Sequence, residues 1–340
     1  SLILRMQERA IAYSMGQVLP KLGFLLFVLT IVWFGFSRHF SNLILANTLS
    51  IVIVLLVFVW NTKAFLVSCL RESIDFKKLQ QLVRYGFPLI VGGLAAWGLN
   101  VMDKVLLRGL SSFTELGIYS VTMSIANVAI LFSSVFNLIW APLVFKWVGE
   151  NKVDYQKIDA VSEHVLAAVF FIICLSGLLS WVLQFLLPAD YSAVQYLISA
   201  CLVGPLFYML SETTAVGITI SRKTSLSMFA SIFAMLVNAA GNFLLIPKFG
   251  AGGAAVSTAI AFFILYLVRT EFSKIVWRKM PFLKSYIIAV LLLSCAIVNA
   301  LYLKANSVAL LMWAGLFVVG FFVFKNSLSL LCKFLVRRFA

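Results

Sequence analysis

The chain has 340 residues, of which 63% are hydrophobic and 11% charged, and its net charge at pH 7 is +15. A soluble domain carries about 25% charged residues, so this composition excludes a soluble protein and predicts a polytopic membrane protein. The lysines and arginines are spread along the chain, which argues against a nucleic-acid-binding patch. The two histidines and five cysteines show no metal or disulfide spacing.

Ten apolar segments are long enough to cross a bilayer as helices, which takes about 20 residues. We place these spans at 12–34, 42–60, 86–107, 116–145, 164–187, 195–219, 225–246, 251–268, 285–303 and 307–324. With alternating sides, 21 of the 27 Lys and Arg residues fall in the connections on one side and five on the other. The positive-inside rule then predicts that both ends are cytoplasmic.

The first span, 12–34, carries Lys21 directly after Pro20. Lys21 lies about 14 Å from the membrane edge at 1.5 Å per residue, which is near the middle of the bilayer. A lysine at that depth costs about 2.5–3.5 kcal/mol on insertion scales. Two interpretations stay open, because Lys21 either lines a polar cavity or extends its stem to an interface.

A basic connection at 63–85 separates the first two spans from the rest, and we interpret it as a lobe boundary. Its cations, Arg84 among them, either orient the protein in the membrane or attract an anionic lipid substrate. The predicted organisation is a partial first lobe at 1–62, the connection at 63–85, a six-helix lobe at 86–270, an extra hairpin at 271–324 and a basic tail at 325–340.

The next two spans each carry a polar face. On 86–107, four residues recur at intervals of four, three and four, so they share one helical face. They are Gly93, Trp97, Asn100 and Lys104. On 116–145, polar or aromatic residues fall within about 140° at about 100° per residue. They are Tyr119, Thr122, Asn127, Ser133, Ser134, Asn137 and Trp140. Lipid cannot satisfy such groups, so they point inward and predict a cavity wall.

Two later spans also contain polar candidates. Glu212 is the only acid well inside a span, and an intramembrane carboxylate is a functional candidate by default. The alternative is a structural pair with Arg222, Lys223 or a backbone donor. On 225–246 a polar face consists of Thr224, Ser227, Ser231, Asn238 and Asn242.

Several short motifs resemble those of polysaccharide flippases. Arg-Tyr-Gly-Phe-Pro-Leu opens the span at residue 84, Asp103-Lys104 lies near its end, Leu-Gly-Ile-Tyr-Ser at 116–120 opens the next, and Trp-Ala-Pro at 140–142 closes it. These motifs are similar to those of O-antigen and capsule-unit exporters in the multidrug/oligosaccharidyl-lipid/polysaccharide superfamily. Residues 1–11 resemble the connection before the fifth helix of that family, which implies that four helices precede this chain.

The resemblance implies an all-α, two-lobed, MATE-like membrane transporter. It would move undecaprenyl-diphosphate-linked oligosaccharides from the cytoplasmic to the periplasmic leaflet of a bacterial inner membrane, by alternating access. The transported units would be used to synthesise O-antigen, capsule or exopolysaccharide. The implied partners are the lipid-linked substrate, membrane lipids and a polymerase or chain-length machinery. No nucleic-acid partner, enzymatic activity, metal or cofactor is implied. The resemblance does not identify a coupling ion.

The candidate cavity residues, taken together, are Lys21, Arg84, Trp97, Asn100, Asp103, Lys104, Tyr119, Asn127, Asn137, Trp140, Glu212, Asn238 and Asn242. Two other functions stay open. A cation-coupled multidrug exporter of the same superfamily would be expected to use more intramembrane acids than this chain has. A membrane-embedded polysaccharide polymerase would be expected to carry a large external loop with several arginines, whereas only Arg38 and Arg108 are predicted on that side.

Overall fold

The computed structural model describes residues 10–34, 40–71, 75–150, 154–279, 282–303 and 307–329. Nearly all of these residues are helical, and none of them forms a strand. The helices are α1 Ala10–Trp33, α2 Phe40–Arg71, α3 Phe76–Leu110, α4 Phe113–Ala126, α5 Val128–Gly149, α6 Tyr155–Leu178, α7 Val194–Ile220, α8 Thr224–Phe249, α9 Ala251–Val276, α10 Leu283–Val298 and α11 Ser307–Val323. Short turns lie at Ser180–Val182, Leu183–Leu186 and Ala189–Tyr191, and a π-helical turn at Asn299–Leu303 extends α10.

Among the described residues, 8 helical segments are long and apolar enough to cross a membrane. The pair α4 and α5 counts as one of them, and two shorter apolar helices, Val18–Trp33 and Ser307–Val323, accompany them. Each of these segments overlaps one of the predicted spans. The prediction of an all-α, multi-pass membrane protein is therefore confirmed.

The connection predicted at 63–85 is largely helical. Helix α2 continues to Arg71, and α3 begins at Phe76. The sequence prediction ended the first of these helices too early because it followed hydropathy, whereas a helix extends beyond the apolar core as long as its backbone hydrogen bonds continue.

The span predicted at 164–187 begins and ends earlier, at Tyr155 and Leu178. Its start is set by Asp154, whose carboxylate accepts a hydrogen bond from the backbone N of Lys157 at 3.2 Å. A carboxylate at this position satisfies a backbone donor that has no partner inside the helix. The same hydrogen bond lowers the pKa of Asp154 below its ordinary value.

The helix predicted at 116–145 is divided at Asn127. Helix α4 ends one residue before it and α5 begins one residue after it, while Asn127 itself has φ −63° and ψ −15°. The polar face predicted for one helix is therefore shared by two segments. Tyr119 and Thr122, before the break, are buried, whereas Asn127 and Ser134 are exposed to the space beside the helix.

The chain folds as two compact units, Ser1–Leu79 and Gln80–Ala340. In the first unit, α1 and α2 pack against each other. A Cβ atom at Gly16 would clash with the ring of Phe58, so the absence of a side chain at this position lets the two helices approach closely.

In the second unit α7 is the central helix. Most of its 27 residues are buried, as expected for a helix that is largely apolar or small-sided. Helices α4, α5, α6 and α9 pack around it, while α8 pairs with α9 and α11 with α6. This arrangement brings the polar sides of α3, α5 and α9 towards a common interior.

The start of α9 is fixed by an acid from α4. Gly250 has φ +54°, a conformation that favours glycine. The next residue, Ala251, donates its backbone N–H to Glu115 Oε2 at 2.7 Å. The carboxylate therefore satisfies a free donor at a helix N-terminus and faces the positive end of the helix dipole.

Candidate functional site

A cavity of about 290 Å³ lies within the second unit. Helices α3, α4, α5, α7, α8 and α9 all contribute to its wall. Its polar lining residues are Asn100, Asn127, Ser133, Ser134, Asn137, Tyr208, Ser231, Thr258 and Arg269. The remaining lining is apolar or aromatic and includes Trp97 and Phe262. A cavity of this size is at the lower end of the about 300–1,000 Å³ found for small-ligand pockets.

Four of the predicted site residues line this cavity, namely Trp97, Asn100, Asn127 and Asn137. Asn100 donates its amide N–H to the carbonyl of Ala96 at 2.8 Å. Such an amide still has a second N–H and an oxygen for other partners. The cavity therefore offers both donors and acceptors along α3 and α5.

A second group of predicted residues meets in a buried cluster around Asp103. Oδ2 of Asp103 accepts hydrogen bonds from the hydroxyls of Tyr119 and Thr258, both at 2.6 Å. Oδ1 accepts from the amides of Asn238 at 3.0 Å and Asn242 at 2.7 Å. We call these five residues the Asp103 cluster, and it joins α3, α4, α8 and α9.

Asp103 is 1% exposed, yet the ion pairs of the described residues include none at this carboxylate. Its neighbour in sequence, Lys104, is exposed. Four hydrogen bonds from neutral groups thus replace the water that a carboxylate loses on burial. Thr258 also lines the cavity, so the cluster adjoins the cavity wall.

The described residues contain no group of three or more His, Cys, Asp or Glu side chains that could hold a metal ion. The Asp103 cluster instead combines one carboxylate with amides and hydroxyls, which are hard oxygen donors. Oδ1 of Asn242 is buried without a hydrogen-bond partner.

A second acid near the cavity, Glu212, is partly exposed and pairs with Arg269. Nη1 of Arg269 lies 2.7 Å from Glu212 Oε1 and 3.2 Å from the hydroxyl of Ser211. The guanidinium carbon is 5.4 Å from the ring centroid of Tyr208, a cation–π distance. The sequence analysis considered Arg222 and Lys223 as partners of Glu212. Neither pairs with it, because both are exposed beyond the end of α7.

Arg269 was missed as a site residue because the sequence prediction placed it in the connection at 269–284. Helix α9 continues to Val276, so Arg269 lies inside it and is 9% exposed. A signal was available: Thr258, Phe262, Leu265 and Arg269 recur at intervals of four, three and four, and all of them line the cavity.

The other predicted residues are not among those that line this cavity. Arg84 is exposed on α3. Trp140 is 3% exposed and stacks on Phe136 with ring centroids 5.6 Å apart. Lys21 belongs to the first unit and is exposed on α1.

No protein-family model matches the sequence. The chain is 22% identical over 206 residues to the multidrug resistance protein NorM of two Vibrio vulnificus strains, covering 56% of this chain and 44% of NorM. It is 20% identical over 193 residues to the probable low-salt glycan biosynthesis flippase Agl15 of Haloferax volcanii, covering 55% of this chain and 40% of Agl15. The matched region thus spans less than half of each of these relatives.

Among solved structures, the chain is similar to the lipid II flippase MurJ in an inward closed conformation. The TM-score is 0.56 with 14% sequence identity, over 93% of this chain and 68% of MurJ. These matches confirm the predicted resemblance at the level of the superfamily, and they include both flippases and a multidrug resistance protein. The chain is a multi-pass helical membrane protein whose fold is similar to that of the flippase MurJ.

Proposed function

We propose that the protein is a flippase that moves lipid-linked oligosaccharides across a bacterial inner membrane for O-antigen, capsule or exopolysaccharide synthesis. The observation that carries this proposal is the cavity of about 290 Å³, which is lined by amides, hydroxyls and an exposed tryptophan inside an apolar bundle. The similarity to MurJ and Agl15 supports a flippase rather than an enzyme.

The cavity chemistry suits a sugar headgroup. Amides such as Asn100 and Asn137 donate and accept hydrogen bonds, as sugar hydroxyls require. A pocket of this size encloses only part of an oligosaccharide, while the apolar lipid tail needs no polar site and stays in the bilayer. Recognition in this cavity is therefore of the sugars nearest to the lipid carrier or of the carrier's phosphates.

The proposed orientation places both ends of the chain in the cytoplasm, as the distribution of lysine and arginine predicts. Arg269 and Glu212 then lie at the cytoplasmic end of the cavity and the Asp103 cluster at the periplasmic end. Along α9, Thr258 and Arg269 are separated by about 16 Å at 1.5 Å per residue. A headgroup that crosses this distance passes from the Arg269–Glu212 ion pair to the Asp103 cluster.

Deletion of the gene tests the proposal. We expect loss of surface polysaccharide and accumulation of the lipid-linked unit on the cytoplasmic leaflet, both restored by the wild-type gene. Complementation with Asn100→Ala should restore export roughly threefold to tenfold less well, because one substrate hydrogen bond is worth about 0.5–1.5 kcal/mol.

Asn61→Ala is the matched control. Asn61 donates to the carbonyl four residues earlier, Val57, at 2.9 Å, as Asn100 does to Ala96, but it does not line the cavity. It should restore export fully. Unchanged surface polysaccharide after gene deletion would refute the proposed function.

A second candidate is a cation-coupled exporter of drugs or other small molecules, which the match to the multidrug resistance protein NorM favours. The buried carboxylate of Asp103 beside the cavity is the feature that would serve it. In that case gene deletion would sensitise cells to drugs and leave the lipid-linked sugars unchanged.

A further inference from the structure

Arg269 differs in charge from the rest of the cavity wall. Among the described residues that line the cavity, it is the one with a full charge at neutral pH. Its side chain is 11% exposed and lies within a membrane-spanning helix. A buried guanidinium is costly unless it has an anionic partner, so its presence in the wall needs a reason.

The present partner uses only part of the guanidinium. Glu212 contributes one oxygen to Nη1, so the pair is not the two-pronged arrangement that arginine forms with carboxylates and phosphates. Nε of Arg269 is buried without a hydrogen-bond partner in the described part of the chain. The guanidinium therefore retains unused donor capacity beside the cavity.

Tyr208 and Ser211 hold this guanidinium in position. The ring of Tyr208 lies 5.4 Å from its central carbon and also lines the cavity, while Ser211 accepts a hydrogen bond from Nη1. Glu212 is less confined, because its side chain is 24% exposed compared with 11% for Arg269. Of the two charges in the pair, the carboxylate can return to water more easily.

We propose that Arg269 is the anion-binding residue of the cavity and that Glu212 occupies it only until an oxyanion of the substrate takes its place. This inference rests on the proposed function, since it assigns the charged part of the cargo to a residue. The oxyanion is a phosphate of the lipid carrier or a carboxylate of an acidic sugar. Both match the planar fork of a guanidinium better than a single carboxylate oxygen does.

The exchange explains why an ion pair lies in the wall of an otherwise neutral cavity. Without cargo, Glu212 neutralises Arg269 and keeps it from standing unpaired in the membrane. With cargo, the incoming oxyanion restores neutrality and uses the free donor at Nε. Glu212 is thus a competitor of the ligand, and its removal should strengthen binding.

Binding to the full chain in phosphatidylcholine nanodiscs tests the exchange, with radiolabelled undecaprenyl diphosphate and free glucuronate as separate probes. Undecaprenol, which lacks phosphate, gives the background. We expect Arg269→Gln to weaken binding of the recognised oxyanion by about tenfold or more, and Glu212→Gln to strengthen it by a similar factor. The probe that responds identifies the source of the oxyanion.

The opposite signs separate this role from a structural one, because loss of a merely structural pair would weaken binding in both variants. Arg278→Gln is the matched control: Arg278 pairs with Asp159 outside the cavity, and its side chain is 14% exposed. It should bind as the wild type does, and thermal unfolding of each variant verifies folding.

Equal binding by Arg269→Gln and the wild type would overturn the inference, as would weaker binding by Glu212→Gln or no binding of either probe to the wild type. The proposed function fails separately. If gene deletion abolishes surface polysaccharide while Arg269→Gln binds the probe as the wild type does, the proposed flippase function is supported and the proposed role of Arg269 is refuted.

Discussion

Two acids near the cavity are neutralised in different ways. Asp103 is 1% exposed and receives four hydrogen bonds from neutral side chains of three other helices. Glu212 is partly exposed and bonds to a single arginine on one neighbouring helix. One negative charge is therefore held by dipoles from several helices, the other by a single opposite charge.

This difference in the number and kind of partners indicates that Asp103 stabilises the fold, whereas Glu212 can change partners. Removing Asp103 leaves four donors without an acceptor, since Tyr119, Thr258, Asn238 and Asn242 all converge on it. Releasing Glu212 leaves one guanidinium, which another anion can satisfy. Multiple fixed partners make a rigid junction, while a single partly exposed partner makes an exchangeable pair.

The largest expected effect is on Asp103. Asp103→Ala should destabilise the second unit by several kcal/mol, because each buried donor left unsatisfied costs about 1–3 kcal/mol. Asp103→Asn should cost much less, because Asn keeps one oxygen for the two amides and its NH₂ group can donate to hydroxyls that rotate to accept. Unfolding of both variants in detergent, followed by circular dichroism, measures the difference.

Equal stability of Asp103→Ala and the wild type would show that the cluster is not a junction. The matched control is Asp190→Ala, because Asp190 is exposed in a short turn and is outside the cluster. This substitution should leave the unfolding temperature unchanged.

An intermediate effect is expected for the ion pair. Arg269→Leu alone should destabilise the protein by about 1–3 kcal/mol, because it leaves Glu212 in the bundle without its partner. Adding Glu212→Leu should restore most of that loss, since two apolar residues replace a pair whose burial is itself costly. A double-mutant cycle on the free energy of unfolding measures the coupling.

The Asp103 cluster should show no such rescue by a single second substitution. Asp103→Ala combined with Asn242→Ala still leaves three donors unsatisfied. Complete rescue of Asp103→Ala by Asn242→Ala would contradict the distinction between the two acids.

The smallest effect is expected at Glu115, a third acid whose partner is one backbone N–H. Glu115→Ala should destabilise the start of α9 by about 0.5–2 kcal/mol, as for the loss of other helix caps. Glu115→Gln keeps an acceptor oxygen and should lose only the interaction with the helix dipole, about 0.3–1 kcal/mol. The rate of amide hydrogen exchange at residues 251–255 measures this local change. Identical rates in both variants and the wild type would show that Glu115 does not cap α9.

Hydropathy and the distribution of cations were sufficient to predict the helical fold and the approximate spans. They did not predict the break at Asn127, because asparagine is compatible with a continuous helix and the backbone there departs from helical geometry only locally. Helix ends at Arg71 and Tyr155 were also misplaced, since a helix extends into the polar region where hydropathy no longer marks it.

Periodicity predicted several faces of the site but not which faces meet. It placed Asn238 and Asn242 on one face, four residues apart. That this face bonds to Asp103, more than 130 residues earlier, depends on how the helices pack, and spacing contains no information about that. Arg269 was missed for a different reason, because a cation near a membrane edge is equally consistent with orienting the protein.

The break at Asn127 also lies between residues that bond to other helices at the Asp103 cluster or the start of α9 and residues that line the cavity. Before it, Glu115 and Tyr119 bond to other helices. After it, Ser134 bonds to a carbonyl of its own helix while lining the cavity. Ser133 is an exception, because it donates to the carbonyl of Pro205 on α7 at 3.1 Å. Libraries confined to Ser134 and Asn137, which line the cavity, therefore offer a route to altered sugar selectivity that leaves the structural junction intact.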